Sequence, residues 1–102
     1  MKILAIEKEI DGVDWSNCDE VLKQEALQVY QLQKSGIIRE IYFNQNHCAI
    51  IILECESTSV AKNTLNKLPL VKSGLINFEV MELTPYNGFD RIIEKQILLW
   101  QN

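Results

Sequence analysis

Five residues in the middle of the chain, Ala49 to Leu53 with the sequence AIIIL, constrain the fold more than any other stretch. Successive side chains of a strand point to opposite faces, so a strand that is apolar at both parities needs cover on both sides. An antiparallel sheet with one face in water cannot provide that cover. A chain of 102 residues has material for a single domain with a modest core. Its helices can shield one face of a sheet, and a second copy of the chain is the simplest body to shield the other.

The remaining elements follow in order. KILAIEKE reads as a strand with apolar Ile3, Leu4, Ala5 and Ile6, and DGVDWSNCDE as a loop rich in turn formers. A helix is predicted next, with Ser16 or Asn17 as its cap and Asp19 and Glu20 at its positive end. Val21, Leu22, Glu25, Leu27, Val29, Tyr30 and Leu32 give it an amphipathic pattern, and Gly36 stops it. IIREIYF and CAIIILEC, joined by the polar turn NQNH, form a hairpin. A second helix is capped by Ser57 or Thr58, carries Val60, Ala61, Leu65 and Leu68 on one side, and ends at Pro69. INFEVMEL is the last strand, expected to turn Ile76, Phe78 and Val80 to the helices and Glu79 to the opposite face.

This order, βαββαβ, is the split βαβ arrangement of an α+β, ferredoxin-like fold with a four-stranded antiparallel sheet. Right-handed crossovers put both helices on one face. Two such sheets packed through their open faces make a dimeric α+β barrel, so a homodimer is expected. Residues 1–86 form the core, and 87–102 a C-terminal tail helix. The tail stripe Phe89, Ile92, Ile93, Ile97 and Trp100 is expected to cross onto the partner subunit.

Composition excludes several classes of function. A net charge of −4 and a pI near 4.9, without a basic stripe, argue against nucleic acid. No apolar run approaches the roughly 20 residues of a membrane helix. Glu7, Lys8 and Glu9 interrupt the start before a signal-peptide core forms. Three unpaired-looking cysteines, Cys18, Cys48 and Cys55, fit buried thiols in a reducing, cytoplasmic setting. A single histidine gives no multi-histidine metal centre, and the four glycines are too dispersed for a phosphate cradle, so neither metal nor cofactor is expected.

The runs LQKSGIIREIYF and LNKLPLVKSGLINFEVMEL together resemble the muconolactone isomerase-like group of small dimeric α+β barrel proteins. Gly36, Arg39, Leu68 to Leu70 and the Glu79-Val80 pair stand in matching places, over roughly the middle two-thirds of the chain. REIYF, LPLVKSGLI and PYNGF resemble a bacterial group within that superfamily still more closely. The chain departs from the isomerase at CAIIIL and in the loop after LPL. The resemblance implies a cofactor-independent enzyme acting on a small organic acid or lactone. The alternative is a non-catalytic dimeric module that binds a small hydrophobic ligand or serves assembly.

On chemical grounds Arg39 and Glu79 are the leading catalytic candidates, because proton transfer beside a carbonyl needs a base and a partner for the enolate. An ordinary ion pair, Arg39 with Glu54 for instance, is the structural alternative. Tyr42 and His47 are weaker candidates: histidine is a residue type suited to shuttling protons but His47 sits beside a turn, and Tyr42 shares the parity of Glu40. Glu25 and Tyr30 are candidates to face a pocket between helix and sheet, the alternative for a helical glutamate being simple solvation. Trp15 and Trp100 lie outside the sheet, as lids or interface anchors.

Overall fold

The computed structural model describes residues 1–93. The elements are β1 (Lys2–Glu9), α1 (Asp19–Lys34), β2 (Ile38–Phe43), β3 (Ala49–Glu54), α2 (Thr58–Asn66), α3 (Pro69–Lys72) and β4 (Ile76–Leu83). The strands form one sheet in the order β2-β3-β1-β4, antiparallel throughout. This is the ferredoxin-like α+β fold, with α1 and α2 on one face.

Period-two alternation decides which residues make the core. Ile3, Ala5, Ile51 and Leu53 are buried on the helix side, where Ile3 opposes Leu53 and Ala5 opposes Ile51. Ala61 and Leu65 of α2, with Leu68, close over them. Phe78 and Val80 pack on the same core, so β4 has the orientation expected from its alternation. Leu65 is 1% exposed. Leu65→Ala is expected to cost about 2–5 kcal/mol by cavity formation, read as a lowered urea midpoint.

Three local details differ from expectation. Cys18, not Ser16 or Asn17, is the N-cap of α1. Asp14 instead accepts the Ser16 amide at 2.9 Å in a turn, and Asn17 takes a positive φ of 60°. Pro69 does end α2, but it also opens the one-turn helix α3, where its missing N–H costs nothing at the first position. Ser57 caps α2 as expected, accepting the Val60 amide at 3.1 Å. The third detail is the β-bulge in β2: Ile38 opposes Leu53 while Glu40 opposes Ile52, leaving Arg39 as the extra residue.

The sheet's other face carries Leu4, Ile6, Ile50, Ile52 and Met81, in rows set by the pairs Leu4–Met81, Leu4–Ile52 and Ile6–Ile50. All five are only half-buried. Charged groups surround this patch: Glu40, Glu54, Lys8 and Glu79 are exposed. The tail leaves the sheet after Leu83. Phe89, Ile92 and Ile93 are exposed, and the Phe89 ring meets Tyr86 edge-on at 4.9 Å. Ile97 and Trp100 lie outside the described residues, and with them the packing expected of the tail.

Candidate functional site

Helix α1 has no fully buried residue, although its amphipathic pattern demands a packed face. Space beneath it explains this. A cleft of about 470 Å³ separates α1 from the sheet, lined by Leu22, Glu25, Ala26, Val29, Tyr30 and Gln33 from the helix. Ile41, Phe43, Ala49 and Ile51 line it from the hairpin, with Glu7, Leu70 and Phe78 completing the wall and Tyr42 at the rim. Ala26 and Ala49 present only methyl groups where longer side chains would fill the gap. Leu22, Tyr30 and Phe43 are exposed lining residues.

Two carboxylates enter this apolar space. Glu7 follows Ile3 and Ala5 at the helix-facing parity of β1 and is only 9% exposed. Its Oε1 accepts the Ala49 amide at 3.1 Å. Glu25 reaches from α1 to accept the Leu70 amide at 2.9 Å, satisfying an orphan donor of α3. Burial pushes the Glu25 pKa up, the Leu70 hydrogen bond partly opposes this, and the charge of Glu7 pushes it further up. Among the described residues, no Lys, Arg or His lines the cleft. Tyr30 and Gln33, three apart on α1, supply a hydroxyl and an amide to the same space.

Arg39 and Glu79 are not brought together within the chain. Arg39 lies on β2 and Glu79 on β4, at opposite edges of the sheet and so roughly 14 Å apart by strand spacing. The Arg39 Nε donates to the Gly36 carbonyl at 2.7 Å, and Glu79 pairs with Lys8 at 3.5 Å with both side chains 55% exposed. Glu54 bonds the Met1 amino group at 3.1 Å. The Tyr42 hydroxyl donates to Glu40 at 2.8 Å, which holds the proton on the phenol and raises its pKa. His47 adopts φ 61° in the hairpin turn and stacks on Phe43, ring centroids 4.0 Å apart. Glu7, Glu9 and Cys48 bring potential ligand atoms within 4.8 Å of one another at the open end of β1.

Glu7 is the site residue that sequence reasoning passed over. Its signal was present: a carboxylate at the parity of Ile3 and Ala5, the two apolar residues that precede it on that face of the strand. Glu25 and Tyr30 do face the helix–sheet pocket.

The chain is similar in structure to muconolactone isomerase, with a TM-score of 0.68 and 18% identity over 86% of this chain and 93% of that one. It is also similar to 5-chloro-2-hydroxyhydroquinone dehydrochlorinase from Burkholderia phenoliruptrix AC1100, solved in complex with 2,5-dihydroxybenzoquinone. There the TM-score is 0.62, with 16% identity over 84% of this chain and 96% of that one. No family model and no curated protein matches the chain. At these identities the likeness establishes a shared fold, the one expected from LQKSGIIREIYF and LNKLPLVKSGLINFEVMEL. No helix among the described residues is long and apolar enough to cross a membrane.

Proposed function

We propose that the chain is a cofactor-independent enzyme that moves a proton on a small ring compound, of the lactone or cyclic enol kind, held under α1. The single observation behind this reading is Glu25: a carboxyl with a raised pKa inside an apolar cleft beside a second carboxylate. A base tuned upward toward working pH is a better proton acceptor. Its Oε1 is held by the Leu70 amide, so the group is positioned as well as tuned.

In this mechanism ionised Glu25 takes a proton from a carbon next to the ring carbonyl. The electron pair moves onto the carbonyl oxygen as an enolate. Tyr30 and Gln33 donate hydrogen bonds to that oxygen, and the Glu25 carboxylic acid returns the proton to the conjugated carbon. Atoms and electrons balance without a co-reactant. The apolar walls lower the local dielectric and strengthen each of these interactions. The two structural neighbours, an isomerase and a dehydrochlorinase of ring compounds, support this class of chemistry by analogy of fold.

Arg39 and Glu79 keep a place in this proposal only through a second subunit, since within one chain they stand at opposite sheet edges. The half-buried apolar face of Leu4, Ile6, Ile50, Ile52 and Met81, ringed by charge, has the anatomy of an interface. A homodimer through that face is part of the proposal.

Solvent exchange tests the chemistry. In deuterated buffer the protein is expected to catalyse deuterium uptake beside the carbonyl of at least one small lactone or cyclic enol in a panel followed by proton NMR. Binding without any exchange across the panel would favour the alternative, a non-catalytic module for a small hydrophobic ligand.

A further inference from the structure

Resting on the reading that the cleft holds a small ring compound, we propose that Glu7 is its charge filter, admitting uncharged or cationic ring molecules and rejecting the matching carboxylates. The pairing of β1 with β3 ends at Ile6–Ile50, and the Ala49 amide one residue further is bonded by the Glu7 carboxylate. Glu7 is thereby fixed in the cleft wall at 9% exposure. A neutral glutamine could accept the same amide bond. The charge is therefore surplus to that structural task, and keeping it buried costs free energy.

The surroundings leave this charge without a local counter-ion among the described residues. Lys8, next in sequence, points to the other face of the sheet and pairs with Glu79. Glu9 adds a further carboxylate close to Glu7, and Glu25 faces the same space from α1. His47 stacks on Phe43 and is not among the lining residues. An incoming carboxylate thus meets two carboxylates in a low-dielectric cleft, where like charges repel strongly. A hydroxyl can donate to the Glu7 or Glu25 oxygens. An ammonium can pair with either carboxylate and lie against the rings of Tyr30, Phe43 or Phe78.

Three single-ring probes of similar size separate the cases: benzyl alcohol, benzylamine and benzoate. Each is titrated into the full chain and into Glu7→Gln and Glu25→Gln, following the backbone amides of Ala49 and Leu70 by NMR. In the unmodified protein, benzyl alcohol and benzylamine are expected to shift these amides, with benzoate weaker by about tenfold or more. In Glu7→Gln, benzoate should gain about tenfold and benzylamine lose a similar factor. If benzoate binds the unmodified protein as tightly as benzyl alcohol, the filter is overturned while the cleft stands as a ring site. The filter is equally overturned if only Glu25→Gln lets benzoate in. If none of the three moves either amide in any form of the protein, both the filter and the underlying cleft reading fail.

Discussion

Replacing Ile52 by glutamate is expected to break the proposed homodimer into monomers. Ile52 is the centre of the apolar outer face, opposed by Leu4 on one side and Glu40 on the other. It is half-buried in the single chain, so the substitution leaves the helix-side core of Ile3, Ile51, Leu53 and Leu65 untouched. In the proposed dimer this carboxylate would be pressed between two copies of the sheet, among apolar side chains. By two-fold symmetry each subunit would bring the same charge into the seam. An uncompensated buried charge costs on the order of 3–5 kcal/mol, which weakens association by roughly 10²–10⁴-fold. Sedimentation velocity on the unmodified chain and the variant measures this directly. A variant that self-associates like the unmodified protein would remove the sheet face as the dimer seam, and with it any route by which Arg39 and Glu79 could meet.

Glu25→Gln is expected to lower the proposed proton transfer by about 10²–10⁴-fold, the usual contribution of a positioned general base. Its effect on stability runs the other way. The Glu25 pKa is raised above its ordinary value of 4.5, mainly by burial. A carboxyl raised on folding contributes stability that is fully present below its unfolded pKa and is lost as pH rises through its folded pKa. The unmodified protein should therefore lose stability from about pH 4.5 upward through the raised value. Glutamine has no charge to desolvate and can still accept the Leu70 amide, so the variant lacks this loss. Urea midpoints at pH 4 and pH 7.5 are expected to fall less between the two conditions in Glu25→Gln than in the unmodified protein. Equal pH dependence in the two proteins would show that Glu25 titrates as an ordinary exposed carboxyl and is unsuited to the role of base.

These two experiments bear on opposite faces of one sheet, and the division between those faces was legible in the chain. AIIIL required cover on both sides, and INFEVMEL separated Phe78 and Val80 from Glu79. Strict alternation failed at Arg39, where the bulge adds a residue and lets Ile38 and Ile41 both reach the helix side. Capping chemistry near α1 also differed from expectation, because Ser16 and Asn17 are absorbed into a turn around Asp14 before the helix begins.

Local periodicity thus determined the elements, their order, the antiparallel sheet and the residues that face the helices, because each follows from the geometry of a few consecutive residues. The site was a different matter. Glu7, Glu25 and Leu70 are separated by 18 and 45 positions in the sequence, and only the crossover of α1 over the sheet brings them to one cleft. Arg39 and Glu79 looked like partners by residue type, yet strand order put β3 and β1 between them. The tertiary structure also decided the protonation chemistry. A glutamate on an amphipathic helix is ordinarily solvated, and it was the space left by Ala26 and Ala49, with Glu7 across it, that gave Glu25 a low-dielectric environment and a raised pKa.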